Sequence, residues 1–355
     1  MPSGPVEFTL ELTPRARIDV IDVRRLIAGT FGDALDAYPR ALCCSFHTTA
    51  GYLDRGVAAR LKNQSDVMPY IDVFRTMFPE GAGYEHDKLD RRTELTDEQR
   101  PREPLNADSH LAFMAGALRT CVSYPNRRDE PIAFVDLDGV HQGHVRRRRT
   151  TVLGYSGEEA IAQTRIVVPV SSHSVDSVNL KDPNLGVYDT CAELVARHGV
   201  TKGRIRLTLA PGEHHAGLTV NEYETLLMRH DLRDVLRDPL RFMAEKAGHM
   251  LGNPRAIPAK TLDYAKYDLV RVFNKLVDTL GLRESMVESV LSQAIAMPAA
   301  RFLRMKRSVS LLVSDRHAPG QGAIVEGTYQ SPILVQWHRG SGPVRALDVT
   351  LTRFV

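Results

Sequence analysis

The chain has 355 residues, of which 43% are hydrophobic and 25% charged, as is typical of a soluble globular protein with about two domains. Its formal net charge of +3 gives no indication of a nucleic-acid partner. The four cysteines have the spacing of neither a zinc ribbon nor a disulfide scaffold, so we expect a reduced, cytoplasmic protein. We expect no membrane partner, because the sequence shows neither a signal-peptide pattern nor an apolar run that could span a bilayer.

Hydrophobic periodicity predicts a mixture of strands and helices in the first half of the chain. A strand at residues 6–12 is followed by a helix at 19–32 and a buried strand at 41–46. A helix-prone polar stretch at 55–78 and a long loop at 79–106 come next. A helix at 109–118 then leads to strands at 119–124, 131–137 and 143–152. Long loops in compact domains are often functional.

A polar stretch at residues 154–163 is predicted to link the two halves. The second half is predicted to begin at residue 164 with a strand, followed by a helix that ends at Gly199, where glycine suits a left-handed cap. A strand at residues 204–209 and a helical stretch at 223–304 then follow. Four strands close this half, at residues 308–314, 323–328, 333–338 and 344–354. Because strands and helices do not alternate regularly, the predicted fold class is α+β.

The chain contains the same pair of short motifs twice. A strand runs into a His-rich corner and then Ala-Gly in CCSFHTTAGYLDRG, around His47, and in LTLAPGEHHAGLTVNE, around His214. Later in each half an apolar strand is followed by a turn, DGVHQG in the first half and EGTYQS in the second. Matching landmarks in the same order predict a tandem repeat, with domains at residues 1–153 and 164–355.

Several of these motifs resemble those of the YjbQ family, also called secondary thiamine-phosphate-synthase-like proteins. In the first half they are HTTAG, a Tyr-x-His, NADSHL and GVHQG, at residues 47–51, 84–86, 106–111 and 139–143. In the second half they are AGLTVNE (216–222) and GTYQ (327–330), while its helical middle matches poorly. The resemblance implies two α+β domains with antiparallel sheets packed around helices. It also implies a homo-oligomer with trimer-like packing of domains, and a weak thiamine-phosphate-forming activity.

Three histidines, His47, His86 and His110, lie within the motifs that carry this resemblance. Three imidazoles with a fourth position left open are typical of a catalytic zinc site, so we predict a divalent metal, most simply zinc, at these residues. The alternative is that they are unrelated core or surface histidines. Carboxylates are expected to orient metal-binding imidazoles, and the nearby candidates are Glu85, Asp87 and Asp108.

Polar residues beside the motifs are candidates for substrate binding. Thr48 and Thr49 offer hydroxyls for a phosphate, although ordinary strand residues would look the same. Gln142 and Gln330 occupy equivalent turns, where a glutamine either orients a water or substrate carbonyl or fixes the turn by bonding to the backbone. The basic run at residues 146–149 is either a solvated strand end or an anion contact.

The two copies keep different parts of the pattern. The second copy retains Asn221 and Glu222 but has Glu213 at the position of His47, and it has no equivalent of His110. One interpretation is that the second copy is only a structural partner. The sharper hypothesis is that the first copy supplies metal ligands while the second supplies Glu222 as general acid or base. The second copy would also supply anion-binding cations, namely Arg304, Lys306 and Arg307.

These features predict a metal-dependent enzyme that acts on a small anionic or phosphate-bearing metabolite by substitution or transfer. One alternative is metal-assisted hydrolysis in the same site. Another is a non-catalytic, oligomeric ligand-binding or scaffold protein. The sequence has no Gly-rich dinucleotide loop, no P-loop and no G-x-S-x-G elbow, which argues against P-loop nucleotide hydrolysis, Rossmann redox chemistry and α/β-hydrolase chemistry.

Overall fold

A computed structural model describes residues 4–61, 64–141, 143–250, 305–338 and 342–355. The first half has ten strands: β1 (Val6–Leu12), β2 (Asp19–Asp22), β3 (Arg40–Ser45), β4 (Ala50–Leu53), β5 (Leu118–Arg119), β6 (Cys121–Pro125), β7 (Ala133–Asp136), β8 (Val140–His141), β9 (His144–Val145) and β10 (Arg148–Tyr155). Its α-helices are α1 (Val23–Phe31), α2 (Arg55–Ala58), α3 (Gln64–Met77) and α4 (Ala107–Ala115).

The described part of the second half has eight strands: β11 (Glu158–Pro169), β12 (Asp176–Asn179), β13 (Lys202–Leu209), β14 (Ala216–Asn221), β15 (Ser308–Ser314), β16 (Ala323–Val325), β17 (Ser331–Gln336) and β18 (Val344–Phe354). Its α-helices are α5 (Val187–His198), α6 (Leu232–Arg237) and α7 (Pro239–Met250). A π-helical segment, Leu227–Asp231, precedes α6. Among the described residues, no helix is both long and apolar enough to cross a membrane.

The two halves share one strand order. The larger sheet runs β1-β10-β3-β6 in the first half and β11-β18-β13-β15 in the second, where β16 adds a fifth strand. The smaller sheet runs β2-β7-β4-β5 in the first half and β12-β17-β14 in the second. Neighbouring strands in all four sheets are antiparallel, and the first long helix follows the second strand in each half. The α+β prediction is therefore confirmed, and the repeat seen in the motifs is also present in the topology.

Three sequence-based assignments differ from the structure. The predicted helix at residues 19–32 begins with β2 (Asp19–Asp22), which pairs with β7, and α1 covers Val23–Phe31. The predicted linker is mostly strand, because β10 ends at Tyr155 and β11 begins at Glu158. The intervening turn, Ser156 and Gly157, donates both N–H groups to the carbonyl of Val355 (2.6 and 2.7 Å). β11 is largely exposed along its length, so its polar residues, typical of an edge strand, resemble a linker in sequence. The predicted helix at residues 55–78 is divided into α2 and α3.

Each half has its own apolar packing, and the two halves also share a core. In the second half α5 places Val187, Cys191 and Leu194 against the larger sheet, at helical spacing. This helix ends at Gly199 with φ 57°, as the sequence predicted. Another cluster combines apolar residues of α3 and α4 with residues of α6, α7 and β17. The halves are thus joined through buried side chains as well as through the chain.

A glycine makes one close backbone approach between the halves. A Cβ atom added to Gly327 would lie 2.0 Å from the carbonyl oxygen of Phe46, which is one residue before the HTTAG corner. Such a distance cannot be tolerated without moving backbone. Glycine at this position therefore lets the second half close onto the first.

Replacing this glycine is expected to loosen the contact between the halves. Gly327→Ala should lower the free energy of unfolding by about 1–3 kcal/mol or more, since overpacking against backbone forces a shift. Chemical denaturation measures the loss. The matched control is Gly212→Ala, at a position where an added Cβ meets no atom within 4 Å. Equal stability of the two variants would contradict this account.

A candidate active site between the two halves

His86 and His110 form the centre of a buried polar cluster. Both rings are almost wholly buried, and their centroids lie 5.2 Å apart in a nearly perpendicular arrangement. His110 is on α4, a helix whose nine residues are all buried. The carboxylate of Asp87 accepts a hydrogen bond from Ala107 N at the start of α4 (3.0 Å). This contact ties the His86 segment to the helix that carries His110.

The second half completes this cluster with three residues at and after the end of β14. Asn221 Oδ1 lies 2.6 Å from His110 Nδ1, and Glu222 Oε2 lies 3.5 Å from His110 Nε2. Glu224 Oε2 lies 2.9 Å from His86 Nδ1. The cluster therefore contains side chains from both copies of the repeat, and neither half alone has all of them.

The contacts of Asn221 determine which nitrogen of His110 carries the proton. Asn221 Oδ1 accepts the backbone N–H of Glu222 (2.8 Å), and its amide nitrogen donates to the carbonyl of Thr48 (3.4 Å). The atom facing His110 Nδ1 is thus an acceptor, so Nδ1 donates. Nε2 is then the nitrogen with the free lone pair. It is buried and has no hydrogen-bond partner in the described part of the chain.

His86 is held between two acceptors. Asn106 donates its amide N–H to Asp138 (2.7 Å), which directs Asn106 Oδ1 toward His86 Nε2 (3.3 Å). The other ring nitrogen faces Glu224. Burial alone would lower the pKa of His86, but the hydrogen bond to Glu224 and the charges of Glu222 and Glu224 outweigh it, and the pKa is raised. In this arrangement His86 favours the imidazolium form.

His110 and Glu222 are shifted toward their neutral forms. Burial, followed by the positive charge of His86, holds the pKa of His110 well below its usual value. Burial raises the pKa of Glu222, and the charges of His86 and Arg92 only partly oppose it. Arg92 donates to Glu222 Oε1 (3.2 Å). A neutral imidazole and a carboxyl group with a raised pKa are therefore side by side, an arrangement suited to proton transfer.

His47 makes different contacts from the other two histidines. Its Nε2 accepts the backbone N–H of Arg149 (2.8 Å). Burial, together with the charges of Arg148, Arg146 and Arg149, lowers its pKa to about 3. Within the described ranges, no group of three or more His, Cys, Asp and Glu side chains is arranged to hold a metal ion. The structure thus brings two of the three predicted ligands into contact, and the three-histidine site stays a prediction.

Gln330, one of the predicted substrate-binding residues, contacts backbone of both halves. Gln330 is buried, and its amide nitrogen donates to the carbonyls of Ser45 and His47, both at 2.9 Å. Its Oε1 accepts the N–H of Gly327 (2.9 Å). Gln330 therefore fixes the HTTAG corner from the other half, which is the backbone role that the sequence left open. Thr49 is buried as well.

The cations predicted to bind anions also have intramolecular partners. Arg307 donates to the carbonyls of Glu213 (2.6 Å), Leu209 (3.0 Å) and Ala210 (2.5 Å). Lys306 lies 3.1 Å from Asp54 of the first half. Gln142 and Arg304, the other two predicted site residues, lie outside the described residues.

Among the expected orienting carboxylates, Asp87 links the His86 segment to α4. Asp108 instead binds Arg17 (2.9 Å), and Glu85 pairs with exposed Lys88 and Arg91. The side chains that do orient the histidines, Glu224 and Asn106, were not predicted as site residues. Asn106 opens the NADSHL motif and Glu224 follows Asn-Glu by two positions, so position near a motif was the available signal.

Comparisons with known proteins give structural neighbours only. No protein-family model matches the chain, and no curated protein has a significant sequence match to it. A YbjQ-like protein of unknown function from Sulfolobus solfataricus P2 matches with 16% identity and a TM-score of 0.30, over 56% of this chain and 99% of that chain. A protein of the yjbq/upf0047 family from Clostridium acetobutylicum matches with 12% identity and a TM-score of 0.28, over 54% and 99%. These structural neighbours are YjbQ-like proteins. The Clostridium protein bears the name of the family that the sequence motifs resemble.

Proposed function

We propose that this protein is an enzyme acting on a small anionic or phosphate-bearing metabolite, with its active site at the contact between the two halves. The observation that carries the proposal is the buried, unpartnered Nε2 of His110 beside the carboxyl group of Glu222. Leaving a buried polar atom unpaired costs about 1–3 kcal/mol. Such unpaired atoms are expected where a substrate, a proton or a metal completes the site.

We further propose that the site uses a divalent metal, with zinc as the first candidate. What supports this is the free lone pair of His110, since a neutral imidazole nitrogen is a zinc ligand. His110 Nε2 is free for this role, and His86 has a carboxylate partner in Glu224, as metal-binding histidines commonly do. To join it, His86 would have to lose its Nε2 proton and release Asn106, and His47 would have to release Arg149. A bound metal would polarise an oxygen of the substrate.

Glu222 is the proposed general acid or base. Its raised pKa keeps a proton available nearer to neutral pH than an exposed glutamate would. Arg92 fixes its other oxygen. Substitution with departure of phosphate or pyrophosphate is the proposed reaction class, and metal-assisted hydrolysis in the same site is the second candidate. A cytoplasmic location and homo-oligomeric, trimer-like assembly stay predictions.

Metal analysis tests the metal part of this proposal directly. We expect the purified protein to hold about one equivalent of metal per chain and His110→Ala to lose it, because the mutation removes the Nε2 lone pair that is proposed to bind the metal. His214→Ala, at an exposed histidine, is the matched control and should retain the metal. Absence of stoichiometric metal from the wild-type protein would count against a metal enzyme, and absence of turnover as well would favour the scaffold alternative.

A further inference from the structure

The strand β13 has two chemically distinct faces. Its sequence, KGRIRLTL, places Ile205, Leu207 and Leu209 in the core beneath α5. Because side chains alternate across a strand, Arg204 and Arg206 point to the opposite face. On the neighbouring strand, Ser310 pairs with Arg206. The larger sheet of the second half therefore has arginine and serine side chains on the face that points away from its apolar core.

This face lines a cavity of about 800 Å³ whose other walls come from the first half, including β6. Binding sites for small molecules typically have volumes of about 300–1,000 Å³. Seven arginine and lysine side chains line the cavity, against the two carboxylates Asp54 and Glu158. Apolar residues such as Leu118 and Val309 line it as well. The cavity therefore carries an excess of positive charge, and its apolar residues offer contacts to the organic part of a ligand.

Both carboxylates of the cavity are already paired with cations. Asp54 lies 3.3 Å from Arg119 and 3.1 Å from Lys306. Glu158 accepts from the buried Arg204 (2.5 Å). These pairs leave an excess of positive charge along the cavity wall.

Arg206 carries part of this excess. It is only partly exposed, and no ion pair to it is present among the described residues. Burial, and then the charge of Arg204, lower the pKa of Arg206. Two guanidinium groups two residues apart on one face repel each other, so a bound anion would relieve an unfavourable arrangement.

We infer that this cavity binds a small organic anion, whose carboxylate or phosphate group is held by Arg206 with Arg204 and Ser310 beside it. Arginine recognises both groups through paired N–H donors. The cavity and the proposed active site share two elements, since Phe113, one turn after His110 on α4, and Val220, next to Asn221 on β14, both line the cavity. Identifying the ligand as the substrate rests on the proposed function, whereas anion binding itself does not.

Calorimetric titration of the full-length protein at low ionic strength tests this inference. The probes are inorganic pyrophosphate and citrate, which separate phosphate from carboxylate recognition. We expect saturable binding of at least one probe, and Arg206→Gln should weaken it about tenfold, as expected for loss of a charge-assisted hydrogen bond. Arg60→Gln is the control, since Arg60 is exposed and outside the cavity.

Thermal unfolding provides a second readout. Without a probe, Arg206→Gln should unfold at the same temperature as the wild type or higher, because repulsion with Arg204 is removed. The probe should raise the unfolding temperature of the wild type more than that of the variant. The inference is overturned if the wild type binds neither probe, or if Arg206→Gln and Arg60→Gln bind equally well. If Glu222→Gln binds the probe normally, loss of its turnover concerns the active site and leaves the cavity assignment intact.

Discussion

Glu222→Gln is expected to lower kcat/KM by about 10²–10⁴-fold, the usual contribution of a general acid or base. The glutamine keeps the size of the side chain and can still accept the hydrogen bond from Arg92, so the cluster should stay folded. What it cannot do is exchange a proton beside His110. The measurement is steady-state turnover in the thiamine-phosphate-forming reaction that the family resemblance implies, with circular dichroism to verify folding.

The matched control for this change is Glu94→Gln. Glu94 also pairs with Arg92 (2.6 Å), but its side chain is 49% exposed. If loss of a carboxylate at Arg92 were enough to impair turnover, both variants would be slow. Unchanged turnover in Glu222→Gln would show that the second half supplies no acid or base, and that its copy of the motif is structural.

The tandem repeat could be predicted because its landmarks lie where strands end. The His-rich corners follow β3 and β13, and these strands occupy the same position in the two larger sheets. The sequence also led to the hypothesis that the site lies at the contact between the two copies. That hypothesis came from the unequal distribution of the histidines and of Asn221-Glu222, which needs no knowledge of the packing.

The individual contacts of the site could not be predicted in the same way. Arg92 reaches Glu222 from 130 positions away, and His86 meets Glu224 over 138 positions. Such pairs depend on how the halves close on each other, and no local periodicity encodes this. For the predicted loop at residues 79–106, which contains His86 and Arg92, the sequence indicated only that loops of this length often carry function.

His47 illustrates the opposite difficulty, in which a motif is clear but the contact is not. The pairing of β10 with β3 brings Arg149 beside Phe46 and His47, so that a backbone N–H meets His47 Nε2. This register joins residues about 100 positions apart. The sequence therefore identified a histidine at a strand end, but it could not show which group that histidine faces.

His86→Ala is expected to lower the free energy of unfolding by about 3–5 kcal/mol, because removing one partner of a buried ion pair leaves the other uncompensated. Among the described residues, Glu224 would keep hydrogen bonds from the N–H groups of Leu226 and Leu227, both at 2.7 Å. Asn106 Oδ1 would lose its partner as well. Urea unfolding with a chelator present measures the loss. Glu224→Gln should cost less, since a neutral His86 can replace the imidazolium.

The pH dependence of this loss separates an ion pair from simple packing. The raised pKa of His86 adds stability below its usual value of 6.5, and this is lost as the pH rises through the pKa in the folded state. The pKa of Glu224 is lowered, since its hydrogen bonds to His86 and to backbone outweigh its burial. Its stabilisation is present above its usual value of 4.5 and is lost as the pH falls through the folded-state pKa. The difference between wild type and His86→Ala should therefore be largest between these two values and should shrink at higher pH. A difference that stayed constant as the pH rose from this interval through the folded-state pKa of His86 would mean that His86 contributes by filling space, with no charge.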